Sequence, residues 1–348
     1  MTSKFEALKR EIESISDNAK SYALYNKKLV FNLLNKLDGC TQDEQHELLT
    51  ALNAGLSLDY IVEPLAKRSR SLGVDISSTG SFRTLLTIGS QRRKFQANSV
   101  ERILNGKARG YKFADYLGVK RPQVFYSTVA LDKVELLPNT VLKPNNGSAS
   151  KGVFLVFDYN DILEVRTGTR LRSEHEVKKC AKELLSSGVV QGNYWTVEEL
   201  VLGSTAEKAQ PARDLKFYTF YGEVGLVLEV ERSNGGRYCE WSSEGQRINT
   251  GRYNETSFDG DSFTKEQLET AKLISQKIPS PFMRIDFIKS SNSFMFGEFT
   301  PLPGQYHSFN AEYDRYLGQL LLASEARLAS DFIQGKSFNE FNKLAGIK

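Results

Sequence analysis

A short segment rich in small residues has the composition of a phosphate-binding loop. Residues 145–152 contain two asparagines, two glycines, two serines and Lys151, and Lys143 stands just before them. Small residues let backbone N–H groups turn inward around an anion, and the two lysines would add positive charge. The segment lacks the GxxxxGK[ST] spacing of the Walker A motif. By composition alone it is equally consistent with an ordinary turn between two strands.

A pair of carboxylates near the C-terminal end of the chain could hold a metal ion. Arg284 and Asp286 alternate on a predicted strand, and Glu298 and Thr300 alternate on the next, so each pair projects to one face. The short connection 289–293 makes the two strands antiparallel neighbours, which brings Asp286 and Glu298 together. Mg²⁺ bound to nucleotide phosphates suits such oxygen ligands. The alternative is an exposed ladder in which Arg284 neutralises the acids.

Two adjacent glutamates interrupt an apolar run between these motifs. Glu198 and Glu199 lie within the strand-like residues 195–203, and on a regular strand they cannot both face solvent. We therefore expect one of them to face a cleft, on a segment that contacts adenine. An edge strand with a β-bulge is the alternative interpretation.

The first part of the chain is predicted to be mainly helical. Apolar residues such as Leu8 and Ile12 recur at three- and four-residue spacing, and Thr41 and Glu44 have the spacing of a helix capping box. No catalytic constellation is visible here. We interpret residues 1–97 as an accessory region that packs against the rest of the chain or supports partner recognition.

From about residue 98 onward, strand patterns and helix patterns alternate. Strand-like runs are found at 123–129, 140–143, 153–157, 195–202, 215–221, 224–231, 284–288 and 294–299. Short turns connect several of these runs, which favours antiparallel sheets and an α+β fold. The small-residue loop then joins two neighbouring strands, so that its backbone is held from both ends.

A polar stretch, residues 233–262, separates two groups of strands. It contains Trp241, Arg247, Arg252 and Tyr253, which are suitable groups for recognising an acceptor molecule. A solvated excursion between strands is the alternative.

Composition excludes several classes of protein. The 348 residues are 40% hydrophobic and 25% charged, as in globular proteins, and predict two or three lobes. A net charge of +4 without aromatic platforms beside the basic groups does not indicate a nucleic-acid partner. Cys40, Cys180 and Cys239 lie too far apart for a zinc site or a disulfide framework, which fits the cytoplasm. No run is long and apolar enough to predict a transmembrane segment.

The order of the motifs resembles that of the ATP-grasp superfamily, which includes D-alanine ligases. From Lys143 the chain reads Lys-Pro-x-x-Gly-Ser-x-Ser-x-Gly-Val, followed by Val-Glu-Glu-Leu, Arg-x-Asp and Glu-x-Thr-Pro-x-Pro-Gly. More narrowly, residues 212–223 and 296–301 resemble the branch associated with teichuronopeptide and other surface-polysaccharide biosynthesis. The resemblance covers residues 98–318.

The resemblance implies an ATP-grasp fold in which a nucleotide lies between two α+β lobes. We expect the lobes at 98–194 and 195–348, after the helical region. The implied activity is an ATP- and Mg²⁺-dependent ligase that joins a small-molecule or saccharide carboxylate to an amine through an acyl phosphate, in cell-surface polysaccharide modification or related metabolism. A kinase on the same fold and a non-catalytic saccharide- or partner-binding protein are the alternatives. Neither the substrates nor the oligomeric state follows from the sequence.

The resemblance also assigns roles by position. The implied nucleotide-binding residues are Lys107, Lys143, Asn146, Gly147, Ser148, Ser150, Lys151, Gly152, Glu198, Glu199, Leu200 and Val201. Lys112 is the alternative to Lys107. The implied catalytic residues are Arg284, Lys216 and Arg213, and the implied metal ligands are Asp286, Glu298 and Thr300. Because the superfamily usually has asparagine where Thr300 stands, the number of Mg²⁺ ions stays open.

Overall fold

A computed structural model of the chain divides into two compact units. The units are Met1–Ile88 with Ala311–Ala323, and Gly89–Asn310 with Ser324–Lys348. The structure describes residues 2–94, 99–147, 150–203, 210–232 and 236–347.

The first unit is helical, as the sequence predicts. Its helices are α1 (Thr2–Lys36), α2 (Gln42–Gly55), α3 (Glu63–Ser71) and most of α4 (Phe82–Lys94). The predicted capping box at the start of α2 is confirmed, because Thr41 Oγ1 accepts from the Glu44 N–H and the Glu44 carboxylate accepts from the Thr41 N–H. Leucines and valines from the C-terminal half of α1, α2 and α3 form the core.

The second unit begins with helices α5 (Val100–Leu104) and α6 (Lys107–Tyr116) and continues into a first sheet. The strands of this sheet are β1 (Val124–Val129), β2 (Thr140–Pro144), β3 (Phe154–Asp158), β4 (Asp161–Glu164), β5 (Arg170–Leu171) and β6 (Trp195–Glu199). They are antiparallel in the order β1-β6-β2-β3-β4-β5. Helix α7 (Glu174–Ser186) lies between β5 and β6. Strand β6 pairs with β1 and β2 of this sheet. The sheet therefore extends beyond residue 194, where we expected the first lobe to end.

A second antiparallel sheet follows. It contains β7 (Arg213–Phe220), β8 (Glu223–Glu231), β9 (Arg237–Trp241), β10 (Met283–Lys289) and β11 (Phe294–Thr300) in the order β11-β10-β7-β8-β9, with α8 (Lys265–Ser275), α9 (Ala311–Ile333) and α10 (Asn339–Ala345). Apolar side chains such as Phe217, Ile285 and Phe287 project to one face of this sheet, where α6 and α8 pack. The opposite face is therefore the one that can carry polar groups.

The register of the second sheet sets the order of those polar groups. Asp286 is the Cα partner of Glu298 on one side and of Lys216 on the other, and Arg284 is the partner of Thr300. The predicted antiparallel pairing of the strands that carry Asp286 and Glu298 is thus confirmed. Alternation along each strand gives one face a continuous row of charged side chains.

Candidate active site

A cleft of about 1070 Å³, open solvent at its mouth included, lies between the two sheets of the second unit. The first sheet contributes Lys143 and Glu198, and the second contributes Lys216 and Asp286. The loop between β2 and β3 borders the cleft through residues such as Ser150. The structure therefore brings the three sequence motifs to one place.

A buried network of three residues forms the first wall. Lys143 Nζ pairs with Glu198 Oε1, and the Tyr111 hydroxyl donates to Glu198 Oε2 at 2.9 Å. Burial disfavours the charged form of Lys143, but Glu198 and then Tyr111 together outweigh it and raise the pKa of this lysine. Lys143 consequently stays protonated, with its charge partly balanced before any anion arrives.

Lys107 adds a second cation beside this network. It is the first residue of α6, and burial, followed by the charge of Lys143, lowers its pKa to about 8. Within the part of the chain that the structure describes, no carboxylate forms an ion pair with Lys107. Lys112, the alternative candidate, lies instead over the ring of Tyr116, with 5.7 Å between its Nζ and the ring centroid. The cleft thus contains an incompletely neutralised positive charge suited to an anion.

The second wall is centred on Asp286. Arg284 donates to both of its oxygens, Nε to Oδ1 and Nη2 to Oδ2, each at 2.7 Å. Lys216 Nζ lies 2.6 Å from Asp286 Oδ2 and 3.5 Å from Asp214 Oδ2. Burial acts to raise the pKa of Asp286, but Arg284 and then Lys216 outweigh it and hold the pKa below its ordinary value. Asp286 is therefore ionised and fixes the orientation of both cations.

Arg232 connects the small-residue loop to this second wall. Its Nη1 donates to Ser150 Oγ at 2.6 Å, and its Nη2 pairs with Asp214. At the base of the loop, the Asn145 amide donates to Thr128 Oγ1 at 3.0 Å and accepts from Thr196 Oγ1 at 2.7 Å. These contacts hold the described parts of the loop at both of its ends.

The carboxylate pair has the donor chemistry for a Mg²⁺ ion that also binds phosphates. Glu298 is adjacent to Asp286 in register, and its side chain is 43% exposed toward the cleft. Mg²⁺ usually takes one or two protein carboxylates and fills its other positions with phosphate and water. Among the described residues, no group of three or more His, Cys, Asp or Glu side chains could hold a metal. Two carboxylates fit a metal that arrives with its nucleotide.

Thr300 has a different contact from the one expected of a metal ligand. Its Oγ1 accepts a hydrogen bond from Arg284 Nη2 at 3.0 Å. Thr300 thereby helps orient the guanidinium that also holds Asp286. Carboxylates that line the cleft on this face include Asp286 and Glu298.

Arg213 does not line the cleft, where its predicted catalytic role would require it. Its Nη1 lies 2.9 Å from Glu229 Oε1 and 2.7 Å from Asp261 Oδ2. Arg213 and Lys216 are three positions apart on β7, so they project to opposite faces of the sheet. Only Lys216 points toward Asp286.

The predicted loop residues divide into those that border the cleft and those that do not. Gly147, Ser150 and Lys151 border it, whereas Asn146 is exposed and does not line it. Ser148 lies outside the described residues. Gly152 has φ +69° and packs against Val190 and Trp195, so a Cβ there would be strained. Its role is therefore to close the turn into β3.

The linker after β6 borders the cleft as expected. Glu199, Leu200 and Val201 line it beside Glu198. The side chain of Glu199 accepts from the Gln123 N–H at 3.0 Å, so Glu198 is the glutamate whose carboxylate takes part in the cleft network. Because β6 lies between β1 and β2, it is not an edge strand. That alternative interpretation of the two glutamates is wrong.

Sequence reasoning missed three residues of the site. Tyr111 was detectable, because it lies one helical turn after Lys107 and so shares its face. Asp214 was also detectable, since it alternates with Lys216 on β7. Arg232 contacts residues far away in sequence, and no local pattern marks it.

A second cavity of about 720 Å³ of empty space lies at the β9 end of the second sheet. Tyr238 and Tyr253 stack at its wall with ring centroids 4.1 Å apart. Arg252 is buried there against Glu240 and donates to the Tyr218 hydroxyl at 3.2 Å. Trp241 projects to the other face of the sheet, where its Nε1 donates to a glutamate of β8. Part of the predicted recognition set thus surrounds a cavity, and Trp241 does not.

The fold and the cleft define an ATP-grasp protein. More particularly, residues 87–322 match the TupA-like ATP-grasp family, and the chain belongs to that family. Among curated proteins, no sequence matches the chain. Within the described ranges, no helix has the length and apolarity needed to cross a membrane.

Several solved structures resemble the chain distantly. D-alanine–D-alanine ligase from Bacillus anthracis complexed with ATP is 14% identical, with TM-score 0.38 and coverage of 76% of this chain and 75% of the ligase. The Helicobacter pylori enzyme of the same name is 15% identical, with TM-score 0.36 and coverage of 63% and 61%. An L-amino acid ligase from Bacillus licheniformis is 12% identical, with TM-score 0.37 and coverage of 74% and 53%.

Proposed function

We propose that this protein is an ATP- and Mg²⁺-dependent carboxylate–amine ligase. The observation that carries the proposal is the composition of the cleft, in which Lys107, Lys143 and Lys216 surround the carboxylate pair Asp286 and Glu298. Three cations beside two carboxylates match the needs of a nucleotide triphosphate with its metal. Membership of the ATP-grasp family supports the same conclusion.

The nucleotide is placed by the chemistry of the two walls. Leu200 and Val201, which are buried and apolar, would contact adenine, while Lys107 and Lys143 bind phosphate oxygens. Asp286 and Glu298 would hold Mg²⁺, which offsets the charge of the phosphates when bound. Ser150 and Lys151 of the small-residue loop line the same cleft as Lys143.

The reaction then has two steps, and the roles of this chain's residues follow from their contacts. An oxygen of the substrate carboxylate attacks the γ phosphorus, forming an acyl phosphate and releasing ADP. An amine attacks the acyl carbon, forming the amide and releasing phosphate and a proton. Arg284 is held by Asp286 and Thr300, so its guanidinium is oriented in advance to stabilise the oxyanion of the second step. Lys216 would neutralise the transferred phosphoryl group.

The second cavity is the proposed place for the acceptor. Tyr218 and Arg284 are Cα partners, and the Tyr218 hydroxyl accepts from Arg252 at the cavity wall, so the cavity and the cleft share one face of the sheet. Stacked tyrosines with Arg247 nearby suit a polar, ring-containing molecule that carries a negative charge. A saccharide carboxylate used in cell-surface polysaccharide modification has this chemistry, and cytoplasmic ATP would drive the reaction.

The test is an ADP-release assay on the full-length protein with a panel of sugar acids and small carboxylic acids, each with and without an amine. We expect ADP release to require both substrates and an amide product to accumulate. ADP release that is independent of the amine and leaves a stable phosphorylated product would instead establish a kinase. Tight ATP binding without turnover on any acid would favour a binding protein.

The depressed pKa of Lys107 predicts that nucleotide binding is linked to protons. Phosphate adds negative charge next to Lys107, which raises its pKa above the value of about 8 in the free protein. The contribution of protonated Lys107 to nucleotide binding is therefore complete below pH 8, and it is lost as the pH rises through the pKa that Lys107 has in the complex. At pH 8.5 we expect uptake of about half a proton per nucleotide bound.

Isothermal titration calorimetry in two buffers of different ionisation enthalpy measures this uptake. Lys107→Met should abolish it and weaken binding by about tenfold, the effect expected for loss of one charge-assisted contact. Lys112→Met is the matched control, because Lys112 lies on the same helix but outside the cleft lining. Equal proton uptake by the wild type and Lys107→Met would show that another group titrates.

A further inference from the structure

The N-terminal half of α1 has an exposed apolar stripe. Every residue from 4 to 22 is exposed, including five large apolar side chains. The exposed fractions are 66% for Phe5, 49% for Leu8, 67% for Ile12, 62% for Ile15 and 69% for Tyr22. Apolar patches of this extent on a folded chain usually mark an interaction surface.

The spacing of the stripe is that of a coiled coil. Phe5, Leu8, Ile12, Ile15, Ala19 and Tyr22 follow one another at alternating intervals of three and four residues. This repeat averages 3.5 residues, which keeps the stripe facing a partner helix when the two helices supercoil. The core of the first unit instead uses Val30, Leu34 and Leu37, so the stripe is not needed for that packing. Because most of the stability of a helix in a protein comes from packing of its apolar face, the stripe requires a cover.

The charges around the stripe do not favour a membrane or a strongly charged partner. Between positions 4 and 22 the basic residues are Lys4, Lys9, Arg10 and Lys20, and the acidic residues are Glu6, Glu11, Glu13 and Asp17. The segment is therefore neutral, whereas helices that bind anionic lipid surfaces carry an excess of Lys and Arg on the polar face. A neutral surface with a regular apolar repeat is suited to pairing with a copy of itself.

We propose that residues 4–22 of two copies of this chain pair as an antiparallel coiled coil. With Phe5 opposite Tyr22 of the second copy, Leu8 faces Ala19 and Ile12 faces Ile15, so every apolar residue of one stripe meets an apolar residue of the other. The dimer is twofold symmetric, because both copies use the same apolar stripe, and it leaves no stripe free to bind a third copy.

The flanking charges decide the direction of the pair. In a parallel pair, Lys4 of each copy would face Lys9 of the other, which is repulsive. In the antiparallel pair, Lys9 faces Ser16 and Glu11 faces Asn18, so no like charges meet. The antiparallel direction is therefore favoured.

The size of the stripe is sufficient for a reversible dimer. Five large side chains that each bury on the order of 100 Å² give roughly 500 Å² per copy and about 1,000 Å² in total, the lower limit for a specific interface. A dissociation constant in the micromolar range is expected for an interface of this size. The proposal uses no part of the cleft and is independent of the proposed activity.

Sedimentation equilibrium of the full-length protein tests the association. The wild type should have the mass of a dimer at about 100 µM, and an Ile12→Ser/Ile15→Ser variant should remain a monomer, with a dissociation constant raised at least about 100-fold. Both isoleucines are exposed, so the variant should keep the wild-type melting temperature. Leu24→Ser is the matched control, because Leu24 is 57% exposed on the same helix but lies off the stripe, and it should dimerise as the wild type does.

Cysteine cross-linking tests the direction. A mixture of Leu8→Cys and Ala19→Cys chains should form mixed disulfide dimers, while Ala19→Cys alone should not cross-link through that position. Cross-linking of Ala19→Cys with itself would overturn the antiparallel direction. A monomeric wild type at about 100 µM would overturn the dimer itself, and so would a monomer that binds anionic vesicles through the stripe.

Discussion

An Asp286→Asn variant is expected to lose Mg²⁺-dependent ATP binding and to lower kcat by about 100-fold or more with any substrate pair that supports ADP release. Asp286 is buried, contacts both Arg284 and Lys216, and lies next to Glu298 in register. Its replacement would remove a proposed metal ligand and would also release the two cations that would stabilise the transferred phosphoryl group. Two functions thus depend on one carboxylate, which is why this single change should have the largest effect on activity.

Calorimetry with and without Mg²⁺ measures the binding effect, and ADP release measures the catalytic one. Asp259→Asn is the control, because the side chain of Asp259 is 94% exposed and pairs with Arg247 at the surface. A melting curve is required as well, since loss of Asp286 leaves two buried cations without their partner. If a folded Asp286→Asn protein still bound ATP more tightly with Mg²⁺ than without, Asp286 would not be a metal ligand.

The position of Asp286 was predictable because short-range rules determine it. Period-two alternation gives the face, and a short connection between strands gives the pairing of β10 with β11. The same alternation would have excluded Arg213, which lies an odd number of residues from Lys216 on β7. The resemblance had suggested both residues, and the strand geometry separates them.

Contacts between distant residues were not predictable. Arg232 joins Ser150 and Asp214, which are 82 and 18 positions away, and only the folded structure brings the three together. The strands β4 and β5 were also missed, because they are short and lie between a turn and a helix. Local patterns indicate which face a side chain takes, whereas its ion-pair partner depends on how whole sheets pack.

Strand β9, within the polar stretch 233–262, is a second case in which the local pattern did not reveal a pairing partner. Its composition predicted an excursion into solvent or an acceptor-recognition segment, yet β9 pairs with β8 along five positions. The polar residues of the stretch are accommodated because they neutralise one another inside the unit. Arg252, which we had considered as a recognition group, is 4% exposed and pairs with Glu240 of β9.

Replacing Glu240 by alanine should therefore destabilise the protein by about 3–5 kcal/mol, the cost of leaving a buried charge without its partner. The side chain of Arg252 is 0% exposed, and that of Glu240 is 4% exposed. Burial acts to lower the pKa of Arg252, but Tyr218 and then Glu240 outweigh it and hold the pKa above its ordinary value, so the buried guanidinium is charged and loses its carboxylate partner in the variant. Glu240 Oε2 also accepts from Thr250 Oγ1 at 2.6 Å, and this contact would be lost too.

Urea unfolding of the full-length chain measures the free energy of unfolding. The Asp259→Asn variant lacks the exposed ion pair with Arg247. Its free energy of unfolding should be lower than that of the wild type by less than about 1 kcal/mol, because solvent screens that pair. A double variant, Glu240→Leu with Arg252→Met, should recover most of the loss, since apolar residues of similar size can replace a buried ion pair. A single Glu240→Ala variant as stable as the wild type would mean that Arg252 reaches solvent or another carboxylate. In that case Arg252 would be free to bind a ligand in the second cavity, as the polar composition of the stretch first suggested.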